Sequence, residues 1–344
     1  MDRPNTLIFH HPEGPKPVVP VRPVFLPNAG CPGTCLYCAQ EVQTGRSATA
    51  LAEAYANLRR DLEVASASGS APFEIGFFGG TFTSLPGDYA ARFVALGHEF
   101  KERGAVAAMR CSTRPDAAGL PLLRELAGLG LDTVELGVQS FDDGVLTASR
   151  RGYDGATARA ACEAVRQADL HLGVQLLPGL PGHTPGGFRR DIEITVGIKP
   201  DCLRLYPCLV IEGAALAGMF DRGEYAPWEL ETAAGEIARA LPLLWRAGVR
   251  VARLGLAPEP GMLRKIKAGP WHASFGSLAR GRALLAMLTQ LLGGRRLAAI
   301  RLPRRYQGEF FGFGGELACA YEGLGLPKGG ATTWDEPYFA LETA

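Results

Sequence analysis

Three of the chain's eight cysteines lie close together in NAGCPGTCLYCAQ, residues 28–40. Cys31, Cys35 and Cys38 are separated by three and then two residues, so one loop can gather their thiolates around a centre that suits a soft metal. A structural zinc site normally has a fourth protein ligand, and no second CxxC or nearby Cys/His pair supplies it. A redox dithiol needs only two cysteines. A 4Fe-4S cluster with three cysteine ligands leaves one iron open, which explains both the number and the crowding.

Other residues suited to ligand binding follow short apolar runs later in the chain. Gly79 and Gly80, in FFGGTFTSLP, let the backbone approach a ligand closely. Arg151, in SRRGYD, offers a guanidinium fork that matches a carboxylate. Polar side chains at the ends of buried strands need hydrogen-bonding partners, which a ligand can supply. These strand-end candidates are Thr81, Ser112, Gln139 and Gln175.

The elements that position these residues are short apolar runs alternating with helical patterns. The runs lie at residues 21–28, 73–80, 105–113, 132–140, 171–179 and 201–210, with a candidate seventh at 249–257. Such alternation predicts parallel strands joined by right-handed crossovers. The expected fold is α/β, a partial (β/α)6 TIM-type barrel with a smaller α+β C-terminal extension. In this architecture the loops after the strands build the active site, and the candidate residues lie there.

The predicted organisation is an N-terminal arm at residues 1–20, a core barrel at residues 21–250 and a basic extension at residues 251–344. One charge interrupts the apolar strands. Glu135 lies within the fourth run, and it either projects into the barrel or pairs with a cation on an outer helix.

The C-terminal third is basic. Residues 240–307 contain thirteen lysines and arginines and one acid, Glu259, so their net charge is 13 − 1 = +12, against +1 for the whole chain. This keeps tRNA or another RNA open as a partner, because Lys and Arg contacts to phosphates supply most nonspecific affinity. The alternative is a solvated basic face balanced by the acidic remainder. Four aromatic residues nearby either stack on bases or belong to the core; they are Tyr306, Phe310, Phe311 and Phe313.

Composition indicates an ordinary globular protein, since 47% of the residues are hydrophobic and 21% are charged. No segment has the roughly 20 uninterrupted apolar residues of a membrane-spanning helix. The start, MDRPNTLIFHHPEG, lacks the basic region and apolar stretch of a secretion signal. We therefore expect a cytoplasmic protein with no membrane partner.

The CxxxCxxC motif, with an aromatic residue before its last cysteine and a strand of a β/α barrel before it, resembles the radical S-adenosylmethionine (SAM) superfamily. The resemblance extends from about residue 20 to residue 260. It implies a 4Fe-4S cluster held by Cys31, Cys35 and Cys38, with SAM on the open iron. It also implies that an electron from a flavodoxin or ferredoxin type donor cleaves SAM to a 5′-deoxyadenosyl radical, which abstracts hydrogen from a substrate.

The resemblance also assigns roles to the cofactor-binding candidates. Gly79–Thr81 match the superfamily motif that receives the methionine amino group of SAM. In the coproporphyrinogen-oxidase-like branch, Gln139 and Gln175 match positions that contact the ribose, and Arg151 matches an arginine near the SAM carboxylate. Ser112 stands where that branch often has glutamate, so this chain departs from the family pattern there.

The segments TVELGVQSFDDGVL, GVQLLPGLPGHT and LRLYPCLVIEGAAL are most similar to the radical SAM half of the Elongator catalytic subunit and its shorter bacterial relatives. That subunit modifies wobble uridines in tRNA and depends on an acetyltransferase domain, whose glycine-rich CoA loop is not found in this sequence. We therefore expect a radical SAM enzyme of tRNA or RNA modification, without the acetyl chemistry. Two alternatives stay open: a radical SAM enzyme acting on a small molecule, and a noncatalytic iron-sulfur protein that binds RNA or acts as a sensor.

Overall fold

The computed structural model describes residues 5–14, 19–44, 50–256 and 260–344. Residues 1–4 and 15–18 of the predicted arm, residue 257 of the candidate seventh strand and Glu259 of the basic region lie outside this set.

The strands are β1 (Asn5–His10), β2 (Val21–Leu26), β3 (Phe73–Gly79), β4 (Val106–Thr113), β5 (Thr133–Gln139), β6 (His171–Leu176), β7 (Cys202–Leu205), β8 (Val210–Ile211), β9 (Val251–Leu254), β10 (Ile266–Ala268), β11 (Leu297–Pro303), β12 (Ala331–Trp334) and β13 (Tyr338–Thr343). The helices are α1 (Gln40–Thr44), α2 (Leu51–Ala67), α3 (Tyr89–Glu102), α4 (Leu120–Gly128), α5 (Asp143–Ala148), α6 (Gly155–Gln167), α7 (Pro185–Ile198), α8 (Ala215–Asp221), α9 (Leu230–Arg246), α10 (Pro260–Leu263), α11 (Phe275–Leu292), α12 (Gln307–Phe311) and α13 (Ala318–Gly323). Short 3₁₀ turns lie at Phe82–Ser84, Pro115–Ala117, Arg304–Tyr306 and Phe313–Gly315.

Seven parallel strands form a curled half-barrel in the order β2-β3-β4-β5-β6-β7-β9. The strand interiors are nearly continuous in apolar residues because helices cover the outer face and packed side chains fill much of the inner one. The α/β barrel prediction is therefore confirmed. The candidate seventh run forms β9, where Val251 and Leu254 are buried, so the sheet has one strand more than the predicted six and continues past residue 250.

A second sheet has the order β1-β13-β11-β12 and lies over its own apolar core. The predicted N-terminal arm contributes β1, which pairs antiparallel with β13 from Asn5 opposite Thr343 to His10 opposite Tyr338. Phe9 of β1 stacks on Phe339 of β13 with ring centroids 4.7 Å apart, which ties the start of the described chain to its end. A third, two-stranded sheet pairs β8 with β10.

The segment after β11 forms a 3₁₀ turn, α12 and a second 3₁₀ turn. Tyr306 and Phe310 are buried in the core of the second sheet, where Phe310 stacks on Tyr321 with centroids 4.0 Å apart. Base stacking by these two side chains is therefore excluded, because both rings are packed inside this core. Phe313 is 56% exposed.

Much of the basic stretch is neutralised by acids from distant segments. Six of its cations form ion pairs with acids in the described part of the chain, and they are Lys265, Lys267, Arg280, Arg282, Arg301 and Arg304. Arg280 on α11, for example, donates to Glu13 at 2.6 Å. The charge asymmetry along the sequence is thus partly cancelled in the folded chain. None of the helices within the described ranges is long and apolar enough to cross a membrane.

Candidate active site

All ten predicted site residues line one cavity of about 640 Å³ on the inner side of the half-barrel. They come from six separate segments: the loop after β2, the ends of β3, β4 and β5, the loop after α5, and β6. The residues are Cys31, Cys35, Cys38, Gly79, Gly80, Thr81, Ser112, Gln139, Arg151 and Gln175. Parallel strands align their carboxyl ends, which explains why residues 144 positions apart in sequence meet here.

The cysteine loop is fixed by close packing against the end of β3. Thr81 donates its backbone N–H to the carbonyl of Ala29 at 2.8 Å, and the Sγ of Cys31 lies 3.2 Å from Oγ1 of Thr81. A side chain at Gly80 would overlap the carbonyl oxygen of Ala29. Glycine is therefore required at this position for the loop to approach the strand.

The Cys35 thiol lies beside two guanidinium groups. Nη1 of Arg151 donates to Sγ of Cys35 at 3.0 Å, and Nη1 of Arg114 lies 3.7 Å from the same sulfur. Arg151 also donates to the hydroxyl of Tyr37 at 2.9 Å and to the carbonyl of Gly137 at 2.6 Å. Two positively charged side chains therefore lie next to this sulfur.

Burial shifts the pKa values of the thiol and guanidinium groups in opposite directions, because it disfavours the charged form of each. Burial, followed by the charges of Cys35 and Cys31, raises the pKa of the Cys38 thiol to about 11. Burial opposes the charge of Arg151, but its neighbours Tyr37 and Tyr153 outweigh it and raise the pKa of the guanidinium. Arg151 therefore stays charged, and the Cys38 thiol requires a bound cationic centre to be a thiolate at neutral pH.

Gln139 carries an unsatisfied polar atom into the cavity. The residue is 4% exposed, has a φ of 69°, and its Oε1 has no hydrogen-bond partner in the described part of the chain. A buried amide oxygen without a partner and a non-glycine residue in the left-handed region are both unfavourable alone. Their combination at a cavity wall indicates a ligand that donates a hydrogen bond.

Within the ranges that the structure describes, no three His, Cys, Asp or Glu side chains converge as they would around a single metal ion. A 4Fe-4S cluster does not need such convergence, because each thiolate binds a different iron. The donor set that fits the cavity is the three thiols of the cysteine loop, all of which line it.

The structure adds site residues that sequence reasoning missed. Arg114 lies near Sγ of Cys35, 79 positions away in sequence, and the hydroxyl of Tyr37 accepts from Arg151, 114 positions away. Only their places in TRPD and CLYC signalled them. Glu135 points into the barrel, where it lines the cavity together with Arg204.

Comparison with protein families gives two consecutive matches. The model of the radical SAM superfamily matches residues 25–194, and the model of the radical SAM C-terminal domain matches residues 200–284. The first match contains all ten site residues, and the second begins just before β7 and ends within α11.

Curated relatives carry names from tRNA modification. The tRNA uridine(34) acetyltransferase of Dehalococcoides mccartyi is 29% identical over 244 residues, 60% of this chain and 52% of that protein. The enzyme of the same name from Methanocaldococcus jannaschii is 33% identical over 151 residues, 42% of this chain and 28% of that protein. Elongator complex protein 3 of Danio rerio is 28% identical over 291 residues, 73% of this chain and 51% of that protein. The chain thus spans about half or less of these relatives.

Solved structures share the fold. The archaeal Methanocaldococcus infernus Elp3 with an N-terminal deletion superposes with a TM-score of 0.60 at 23% identity, covering 82% of this chain and 67% of that one. Coproporphyrinogen III oxidase (HemN) from Escherichia coli gives a TM-score of 0.50 at 18% identity, covering 69% of this chain and 54% of that one.

Proposed function

Since the chain belongs to the radical SAM superfamily of enzymes, we propose that it holds a 4Fe-4S cluster through Cys31, Cys35 and Cys38, and binds SAM beside it. We further propose that it abstracts a hydrogen atom from a nucleotide of tRNA or another RNA. The observation that carries the proposal is the meeting of all ten candidate residues, from six segments, in one cavity.

The residues present fit the cluster and SAM. Three thiols share one wall, and the guanidinium groups of Arg114 and Arg151 beside Cys35 offset the cost of gathering thiolates. The unsatisfied Oε1 of Gln139 offers an acceptor to a ligand hydroxyl. When bound, the cluster supplies the electron that cleaves SAM reductively.

The chain's own residues have separable tasks in this proposal. The cysteine loop holds the cluster, and the backbone at Gly79 and Gly80 lies open to the methionine end of SAM because no side chain covers it. Arg151 orients the SAM carboxylate by its fixed charge, while Gln139 and Gln175 receive the ribose. The apolar wall of Pro23, Phe25 and Phe78 lines the cavity and excludes water from the reacting groups. A flavodoxin or ferredoxin type protein is the proposed electron donor.

RNA as the substrate rests on two observations. The curated relatives are named as tRNA uridine(34) acetyltransferases, although the chain covers only part of them. In addition, Arg264, Arg296 and Arg305 are exposed and have no acidic partner within the described ranges, which leaves their charges available to phosphates.

The proposal is tested by anaerobic reconstitution with iron and sulfide, followed by dithionite and SAM, with and without total tRNA. We expect visible iron-sulfur absorbance, and 5′-deoxyadenosine as a product of SAM. Cys31→Ala, Cys35→Ala and Cys38→Ala should each lose most of the bound iron, whereas Cys319→Ala, an exposed cysteine outside the cavity, should retain it. A cluster that forms but never cleaves SAM, with or without tRNA, would favour the noncatalytic alternative. Cleavage that is indifferent to tRNA would favour a small-molecule substrate.

A further inference from the structure

The cavity has a second polar region on the last strands of the half-barrel, where Arg204 is the register partner of Gln175. Glu135 on β5, Arg204 on β7 and Arg253 on β9 all line it. Arg204 and Arg253 are register partners on neighbouring parallel strands, so the two guanidinium groups extend into the cavity side by side.

Arg204 is held in place by a charge network inside the barrel. Oε1 of Glu135 accepts from Nη2 of Arg204 and from Nη1 of Arg110, each at 2.7 Å. Arg110 in turn donates to both carboxylate oxygens of Glu74, at 2.6 and 2.7 Å. The charges of two acids and two arginines cancel within this network, so it has no excess negative charge that could offset a third arginine.

Two atoms of the network remain unsatisfied. Nε of Arg204 is buried without an acceptor among the described residues, and Oε2 of Glu135 is buried without a donor. The side chain of Arg204 is 18% exposed, and its guanidinium lies over the ring of Phe78 at 5.5 Å. Arg204 is therefore rigid, charged and still able to donate a hydrogen bond.

Arg253 is the uncompensated charge of this region. It is exposed along the cavity wall, and no carboxylate pairs with it within the described part of the chain. Two like charges in register repel each other, and Glu135, the only acid among the described residues that line the cavity, already faces two arginines. An oxyanion between the two guanidinium groups would remove the repulsion and satisfy their free donors.

We propose that Arg204 and Arg253 bind an oxyanion of the substrate, a phosphate or a carboxylate, on β7 and β9, at the edge of the sheet opposite β2. The proposal rests on the proposed function, since it concerns the substrate of that same site. The oxyanion has two sources, the phosphodiester of an RNA nucleotide or the acidic group of a small molecule. SAM does not need this pair, because Arg114 and Arg151 are adjacent to the cysteines.

The test measures binding directly. Reconstituted holoenzyme with SAM present is titrated with total tRNA, and separately with inorganic phosphate and with acetate. Arg253→Gln should fold normally, because the Arg253 side chain makes no hydrogen bond or ion pair with the described residues. It should weaken anion binding about 10-fold or more, the usual effect of losing a charged hydrogen bond. Arg253→Lys should restore part of the affinity by keeping the charge without the fork. Arg246→Gln, an exposed arginine on α9 outside the cavity, is the matched control.

The outcomes separate the two sources. Weaker binding of tRNA together with the small anions identifies the RNA phosphodiester, while weaker binding of the small anions alone identifies a small acidic substrate. The proposal is overturned if Arg253→Gln and Arg246→Gln bind every probe equally, or if Arg253→Gln lowers the affinity for SAM itself. Because absorbance and SAM cleavage of the unaltered holoenzyme are recorded separately, failure of the radical SAM function is distinguished from failure of this anion site.

Discussion

At the residue scale, the site depends on contacts that only particular atoms allow. The carbonyl of Ala29 accepts a hydrogen bond from the backbone N–H of Thr81, and it can approach this closely because the preceding residue, Gly80, has no side chain. The same approach brings Cys31 within 3.2 Å of Thr81. The backbone that holds the first cysteine is therefore hydrogen-bonded directly to the segment proposed to receive SAM.

Gly80→Ala tests this coupling. The added methyl group overlaps the Ala29 carbonyl, so the loop must shift, at a cost of about 1–3 kcal/mol typical of overpacking. We expect less iron per chain after reconstitution and weaker SAM binding, measured by iron analysis and equilibrium titration. Gly197→Ala on α7, where a Cβ meets open space, is the control and should retain full iron content. Normal iron content in Gly80→Ala would show that the loop position does not govern cluster binding.

Much of the residue-scale site was predictable because its motifs are local. CxxxCxxC, the glycine pair after β3 and the polar residues ending β4, β5 and β6 each follow a recognisable apolar run. Arg114 and Tyr37 were not predictable in their roles, because their contacts join distant segments and no local pattern encodes them. Glu135 was recognised as an anomalous charge, but its partners Arg110 and Arg204 lie on other strands, so the network required the barrel to be built first.

At the element scale, one buried carboxylate joins two of the outer helices. Glu236 on α9 has a side chain that is 3% exposed, and it accepts from Arg189 of α7 at 3.0 and 3.1 Å. Arg239 of the same helix adds a bond at 2.6 Å. Burial opposes the charge, but the hydrogen bonds from the two arginines outweigh it and lower the pKa of Glu236 below its ordinary value of 4.5.

A lowered pKa predicts the direction of the pH dependence. The carboxylate contributes stability above its unfolded value of 4.5, and this contribution is lost as the pH falls through the lower folded value. Glu236→Gln should therefore lower the free energy of unfolding near neutral pH by about 1–3 kcal/mol. The difference from the unaltered chain should shrink below pH 4.5, as measured by chemical denaturation across the acid range. Glu193→Gln, an exposed carboxylate on α7, is the control; an identical loss in both variants would contradict the assignment.

The element pattern of the barrel was readable from sequence because near-continuous apolar runs alternate with amphipathic helices. The second sheet was not readable in the same way. Its first strand, β1, pairs with β13 more than 300 residues later, and short-range periodicity contains no information about such a partner. The structure of the aromatic segment after β11 was not readable either, since α12 and its flanking 3₁₀ turns, and not a strand, bury Tyr306 and Phe310.

At the scale of the whole molecule, folding redistributes charge that the sequence concentrates. The N-terminal Glu13 accepts from Arg280 of α11 and from the Trp245 indole, so an acid from one end of the chain offsets one cation of the basic third. What remains for an anionic partner is a subset of the thirteen cations, and not the +12 that the linear sequence suggests.

RNA binding should therefore depend on which cations are removed as well as on how many. Replacing Arg264, Arg296 and Arg305 by Gln removes charges without acidic partners in the described chain, so affinity for tRNA should fall. The slope of log affinity against log salt should decrease in magnitude by about 2 to 3, since each lost phosphate contact accounts for roughly 0.7 to 0.9.

The matched control removes three cations that already have acidic partners. Lys267 pairs with Asp221, Arg282 with Glu231, and Arg304 with Asp335; the control replaces Lys267, Arg282 and Arg304 by Gln. The net charge changes by the same amount in both triple variants, so a difference between them isolates the free charges. We expect a smaller loss of affinity in the control, because its arginines and lysine would first have to leave their carboxylates. Equal losses would mean that RNA responds only to total charge, and no dependence on salt in the unaltered protein would contradict an RNA substrate.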